Sequence, residues 1–283
     1  MSVVVIGESS FLARAVRKQP AAAGWKFLSY READKPEHYK DATCVVNFAL
    51  HGDVRKGIVN EQSDLDSRVA KILLDTPANY VMISTRAVYG PSIHEDGRLV
   101  ETDPLSPASP YGMGKKQVED NLRAILPPER LAILRLSNIF GDEGLQNRST
   151  FFAMALDKLA TTGRINYDMN PAVKRDFFPA SACAQALTQI VERFRGGTYN
   201  LGSGLGIETG KIAAWLIEGF GSGALHSSSD AVKDAFWLDM TQSRESFNLP
   251  ALSVDDIRQE CLRIGRELRA VAPAAGQSDL KQA

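Results

Sequence analysis

The chain has 283 residues, a formal net charge of −1 and 44% hydrophobic residues. That length suits one large α/β domain with a smaller lobe, and the near-neutral charge advertises no basic face for nucleic acid or an anionic membrane. No apolar run is long enough to span a bilayer, the cysteines Cys44, Cys183 and Cys261 form no C-x-x-C, and the four histidines show no ligand spacing. Neither a disulfide nor a structural metal is therefore expected.

Residues 2–6 open the chain as a continuous apolar run, the pattern of a strand buried on both faces. No basic segment precedes it, which predicts a cytoplasmic protein. A helix pattern follows through Phe11, Leu12, Ala15 and Val16. Residues 25–30 and 42–49 read as the next two strands, and the short segment between them, interrupted by Pro36, leaves room for little helix. Residues 65–74 predict a helix, 80–84 a strand, 115–126 a helix and 131–136 a strand. Strands alternating with helices predict a doubly wound parallel sheet, an α/β fold.

After Gly141 the pattern loosens. Residues 151–160, 181–194 and 209–219 read as helices, 173–178 as an extended piece and 198–201 as a strand. Residues 254–269 form a last amphipathic helix with Asp255 and Asp256 in its first turn, where negative charge is favourable. Residues 1–141 with parts of 174–204 make up the expected sheet domain. Residues 142–173 and 205–270 make a smaller lobe, and 271–283 a flexible tail.

Tyr111-Gly112-Met113-Gly114-Lys115 carries the strongest chemical signal. On a helix, residues four apart share a face. A free phenol titrates near ~10, and a nearby ammonium lowers that value by favouring phenolate. Such a pair suits proton exchange beside a redox centre. The alternative is a solvated helix face. With the preceding run Glu101-Thr102-Asp103-Pro104-Leu105-Ser106-Pro107-Ala108-Ser109-Pro110, the stretch resembles the active-site segment of extended short-chain dehydrogenase/reductases. These are nucleotide-sugar epimerases, dehydratases and ketoreductases. The resemblance implies a Rossmann-type sheet with a small C-terminal substrate-binding lobe.

The same resemblance assigns the nucleotide end. Gly7-Glu8-Ser9-Ser10-Phe11-Leu12-Ala13 follows the first strand and opens a helix, as a phosphate-binding loop must. Gly7, Ser9, Ser10, Phe11 and Leu12 are the expected cofactor contacts. The family's usual G-x-x-G-x-x-G keeps only Gly7; Ser10 and Ala13 replace the other glycines. The Ser10 side chain either crowds the phosphates or binds one. At the end of the second strand, Ser29 and Arg31 suit the 2′-phosphate of NADP(H); the alternative is an Arg31–Glu32 surface pair. NADP(H) is the favoured cofactor and NAD(H) the other candidate. Asn47-Phe48-Ala49 resembles the turn under the cofactor and adds Ala49 to its contacts.

Ser84-Thr85-Arg86-Ala87-Val88-Tyr89-Gly90 resembles the segment whose hydroxyl holds the substrate oxygen. It completes a catalytic set of Thr85, Tyr111 and Lys115, with Ser84 and Arg86 as further substrate contacts. The 4,6-dehydratases carry an Asp-Glu pair where this chain has Arg86-Ala87, which argues against dehydration. Leu134-Arg135-Leu136-Ser137-Asn138 and Lys174-Arg175-Asp176-Phe177 resemble the family's substrate elements. They nominate Asn138 for the sugar-phosphate portion and Arg175 for the diphosphate. The structural alternatives are a turn cap at Asn138 and an Arg175–Asp176 pair. Gly197-Thr198-Tyr199-Asn200-Leu201-Gly202-Ser203-Gly204 matches a family turn read as architectural.

Taken together, these residues predict a reductase of a keto-sugar nucleotide. An epimerase with tightly bound NAD and a non-catalytic nucleotide-binding regulator are the alternatives. The resemblance also implies a homodimer formed through the helices at 65–74 and 115–126.

Overall fold

A computed structural model describes residues 1–141 and 151–272. In chain order the first part holds β1 (Val3–Ile6), α1 (Phe11–Arg17), β2 (Lys26–Leu28), β3 (Cys44–Asn47), α2 (Gly52–Arg55), α3 (Leu65–Leu73) and β4 (Asn79–Thr85). Then come β5 (Arg98–Leu99), α4 (Pro110–Ile125), β6 (Leu131–Leu136) and β7 (Asn138–Phe140). The second part begins with α5 (Phe151–Thr162), β8 (Arg164–Tyr167), β9 (Lys174–Arg175), β10 (Phe177–Pro179), α6 (Ala180–Glu192) and β11 (Gly197–Leu201). It ends with β12 (Ile207–Glu208), α7 (Thr209–Phe220), β13 (Ala224–Ser227), β14 (Trp237–Leu238), α8 (Thr241–Phe247) and α9 (Val254–Val271). The expected tail at 273–283 lies outside the described residues.

Six strands form one parallel sheet in the order β11-β6-β4-β3-β1-β2. Its two faces explain the all-apolar strands. Val3 and Val5 join a core with Ala13 and Val16 of α1 and Leu187 and Ile190 of α6. Val4 and Ile6 join the opposite core with Val69 and Leu73 of α3 and Val118 and Leu122 of α4. Each fully buried aliphatic side chain contributes roughly 1.5–3 kcal/mol, so helices on both faces are needed to cover the sheet. This is the expected doubly wound, Rossmann-like α/β fold.

Between β2 and β3 the chain makes only the short turns Tyr30–Glu32 and Pro36–His38. Buried Tyr39 packs into the core there, and its hydroxyl donates to the Ala33 carbonyl at 2.6 Å. A further apolar cluster brings α5, α7 and α9 together through Leu156, Leu216 and Ile264.

The extended piece expected at 173–178 is instead two short strands, β9 and β10, broken at Asp176. Asp176 is completely buried. Its carboxylate accepts hydrogen bonds from the backbone of Ser203, Gly204 and Leu238 and from the Ser203 hydroxyl. Burial pushes this carboxyl above the usual carboxylate range, against the pull of those donors. The Lys174–Phe177 and Gly197–Gly204 motifs, distant in sequence, are thus two halves of one joint. No described helix is long and apolar enough to cross a membrane.

Candidate active site

Helix α4 starts where Ser109 caps it, its hydroxyl accepting from the Gly112 amide at 3.1 Å, with Pro110 in the first turn. Glycine inside a helix costs about 1 kcal/mol relative to alanine. Here close approach requires it twice. A Cβ on Gly112 would lie 2.3 Å from the Ala87 carbonyl oxygen, and one on Gly114 would lie 2.2 Å from that of Val54. The glycines therefore let α4 press against the loop after β4 and against α2. That seating brings the Tyr111/Lys115 face to the end of β4.

Lys115 is buried, and its Nζ donates to the Ile83 carbonyl at 2.8 Å. Thr85 ends β4, and its Oγ1 accepts from the Ala87 amide at 3.2 Å. Thr85, Tyr111 and Lys115 share one cavity of about 230 Å³. Ser10, Phe11, Leu12 and Ala49 line the same cavity. The predicted catalytic set and part of the predicted cofactor set therefore meet.

The loop after β1 shows why one glycine is enough. Gly7 has φ 84°, and a Cβ on it would lie 2.8 Å from the Ala49 amide nitrogen. No other residue fits that left-handed, crowded position without strain. Ser10 has an ordinary φ of −67°, and its hydroxyl caps α1 by accepting from the Ala13 amide at 3.1 Å. Ser10 therefore trades backbone freedom for an N-cap, and Ala13 packs fully buried. Ser9 is exposed at the tip of the loop.

Ser29 and Arg31 stand at the end of β2, away from the Tyr111 cavity. The Ser29 hydroxyl accepts from the Arg31 amide at 3.4 Å. Arg31 is exposed, with its guanidinium 5.7 Å from the Tyr30 ring centroid. Glu32 pairs with Lys35 rather than with Arg31.

Two buried carboxylates support the site. The Ser84 hydroxyl donates to Glu119, which also receives two bonds from Arg135. Ser84 also lines the Tyr111 cavity, behind Thr85, with its hydroxyl proton directed to Glu119. Asp66 accepts from Asn47 Nδ2 at 2.9 Å and from the Tyr80 hydroxyl at 2.8 Å. Asn47 Oδ1 in turn accepts from the Ala49 amide, fixing the cofactor-side turn. Burial raises the Asp66 carboxyl, opposed by the charge of Lys115 and by those two hydrogen bonds.

Sequence reading missed Asp66, Arg55 and Ser137. Arg55 and Ser137 line the same cavity as Tyr111. Ser137 Oγ is buried and has no hydrogen-bond partner among the described residues. Its place directly before Asn138 was the only signal.

The expected substrate arginines stand apart from the Tyr111 cavity. Arg86 forms a forked ion pair with Asp234, and both line a second cavity of about 770 Å³. Arg175 donates to the backbone carbonyls of Lys233 and Asp234. It does not pair with Asp176, which faces the core. Asn138 opens β7, and its amide donates to the Asp176 carbonyl at 3.3 Å.

Residues 32–202 match the NAD dependent epimerase/dehydratase family. The chain belongs to that family. The matched span begins beyond the loop in which Ser10 and Ala13 replace glycines. The low-salt glycan biosynthesis protein Agl12 of Haloferax volcanii is 27% identical over 191 residues, which cover 64% of this chain and 60% of that relative.

Among solved structures, RMD from Pseudomonas aeruginosa complexed with NADPH has a TM-score of 0.78 at 18% identity, covering 95% of this chain and 99% of that one. UDP-glucose 4-epimerase from Thermotoga maritima with UDP-glucose has a TM-score of 0.78 at 16% identity, covering 94% and 99%. DesIV, a dTDP-glucose 4,6-dehydratase from Streptomyces venezuelae with NAD and TYD bound, has a TM-score of 0.76 at 20% identity, covering 95% and 98%. At these identities the likeness is one of fold.

Proposed function

We propose that this family member is an NAD(P)H-dependent reductase of a keto-sugar nucleotide. The observation that carries the reading is the meeting of Thr85, Tyr111 and Lys115 on one cavity with the loop after β1. The cavity suits a nicotinamide cofactor. Phe11, Leu12 and Ala49 give it apolar walls, Lys115 and Arg55 give it cations, and the unpartnered Ser137 hydroxyl awaits a polar group. Gly7, Ser9 and Ser10 would hold the phosphates, and Ser29 and Arg31 a 2′-phosphate, which favours NADP(H) over NAD(H).

When bound, the cofactor supplies the hydride. Tyr111 gives its proton to the substrate's carbonyl oxygen. Thr85 donates a hydrogen bond to the same oxygen, and that bond strengthens as charge builds there. The Lys115 ammonium places positive charge beside Tyr111 as the proton leaves, and its bond to the Ile83 carbonyl fixes its position. Asn138 and Arg175 are the proposed contacts to the sugar-phosphate portion and the diphosphate.

Dehydration needs an acid and a base across two carbons. At the positions in question this chain has Ala87 and an Arg86 already paired with Asp234. A C4 epimerase using bound NAD needs neither acid, and the Thermotoga maritima epimerase shares the fold; this is the second reading. We also propose a cytoplasmic homodimer joined through α3 and α4, to be checked by light scattering. The three buried, unbonded cysteines fit a reducing compartment.

The deciding experiment titrates the nicotinamide fluorescence of NADPH and NADH with the purified protein, then offers keto-sugar nucleotides. Preference for NADPH with turnover supports the reductase. A co-purifying NAD that exchanges slowly selects the epimerase. No binding of either cofactor overturns both readings.

A further inference from the structure

Two arginines converge on one short segment where the loop after β4 meets the chain between β13 and β14. Arg86 Nη1 donates to Asp234 Oδ1 at 2.6 Å, and Nη2 donates to Oδ2. The Arg86 guanidinium also lies 4.0 Å from the centroid of the Phe236 ring. Arg175 arrives from β9. Its Nε donates to the Asp234 carbonyl oxygen at 3.2 Å and its Nη2 to that of Lys233 at 3.1 Å.

Asp234 holds a backbone conformation that few side chains adopt. Its φ is 54°, in the left-handed region that L-residues other than Asn and Asp seldom enter. Its side chain is 39% exposed on the rim of the larger cavity, whereas that of Arg86 is only 18% exposed. The arginine side of the pair is built into the protein, and the carboxylate side faces outward.

The charges do not balance locally. Arg86 pairs with the Asp234 carboxylate, whereas Arg175 bonds the backbone carbonyls of Lys233 and Asp234. Arg175 feels the charges of Asp234 and Asp168 at longer range, and Asp168 is itself paired with Lys233. Burial disfavours the charge on Arg175, Asp234 supports it, and nearby Arg86 opposes it. A group bearing two negative charges matches two guanidinium forks better than one carboxylate does.

We propose that Arg86 and Arg175 form a diphosphate-class anion site and that Asp234 is its built-in competitor, released when the substrate's nucleoside diphosphate binds. This rests on the nucleotide-sugar reading given above. It adds a residue that sets affinity and selects by charge. A ligand without a doubly charged group fails to displace Asp234, and a nucleoside diphosphate succeeds. Asp234 touches neither the proton donor nor the carbonyl-orienting hydroxyl, so its effect lies in binding.

The test is calorimetric titration of UDP, dTDP and GDP into the full chain and into Asp234→Asn and Asp234→Gly. Both replacements tolerate the left-handed backbone, so both are expected to fold, and thermal melting checks that they do. The expected result is that a nucleoside diphosphate binds the parent protein and binds both variants about three- to tenfold tighter. That gain should shrink as salt is raised. A purely structural Arg86–Asp234 strap predicts the opposite sign, because losing it loosens the cavity. Equal or weaker binding by the variants, with binding by the parent, overturns the inference alone. If no nucleoside diphosphate binds any of the proteins while NADPH still binds, the inference and the nucleotide-sugar reading fall together.

Discussion

The loop after β1 and the arginine cluster near Asp234 depart from their motifs in opposite ways. In the loop, two expected glycines are gone, yet the backbone path is intact. Gly7 holds the one position where a side chain would collide, while Ser10 caps α1 and Ala13 packs in the core. In the cluster, the expected arginines are both present, yet their donors are already engaged by residues 233 and 234. A motif residue matters through the atoms it presents. A role can survive the loss of the residue type, and a retained residue can be occupied by a neighbour far away in sequence.

The sharpest way to break this comparison is at the chemistry both regions flank. Tyr111→Phe should lower turnover by about 10²–10⁴-fold while leaving NADPH binding intact. Steady-state kinetics beside a fluorescence titration measure both, and unchanged turnover would remove Tyr111 from the mechanism. Gly7→Val places a β-branched residue at φ 84° against the Ala49 amide. It should cost roughly 2–4 kcal/mol in chemical denaturation. A loss under about 0.5 kcal/mol would mean that Gly7 is not the glycine the loop requires.

Asp66→Asn tests the buried support beneath the turn. Burial raises the Asp66 carboxyl in the folded protein, despite Lys115 and the bonds from Asn47 and Tyr80. A carboxyl raised on folding stabilises fully below its unfolded value of about 3.9, and that stability is lost as pH rises through the folded value. The stability of the parent relative to Asp66→Asn should therefore fall as pH rises across that window. The slope should reach at most about 1.4 kcal/mol per pH unit. Urea denaturation at several pH values reads it, and a flat difference would show that Asp66 titrates normally.

The two smallest effects return to the nucleotide end. Arg31→Ala should weaken NADPH by up to about tenfold and leave NADH unaltered, since Arg31 is exposed and its contact is screened by salt. Equal losses for both cofactors would release Arg31 from reading the 2′-phosphate. Ser10→Gly restores the family glycine, yet it should change stability by only about a few tenths of a kcal/mol and leave cofactor affinity where it was. A large gain in affinity would mean that Ser10 obstructs the phosphates after all.

Local pattern carried most of the fold. The continuous apolar strands and the intervening helices were readable because burial on both faces of a parallel sheet demands them. The Tyr111/Lys115 pair was readable because helix geometry places residues four apart on one face. The elements that escaped were short or irregular: α2, α8, β5, β7, β8, β12, β13, β14 and the break at Asp176. Their shape is set by partners in distant segments, such as Ser203, Gly204 and Leu238 around Asp176.

The sequence by itself thus determined the layered architecture, the placing of Tyr111 and Lys115 on one face of a helix, and the presence of Arg86-Ala87 after Thr85. Each of these is a matter of spacing within one element or of side-chain chemistry at one position. Only the tertiary structure decided that Ser84 faces Glu119, that Asp66 lies near Lys115, and that Asp234 grips an arginine 148 positions away. Those pairings arise because α3 and α4 pack together on one face of the sheet and because the chain before β14 is brought beside the loop after β4. The cost of burying a charge or hydroxyl without a partner then selects which of the assembled groups must meet.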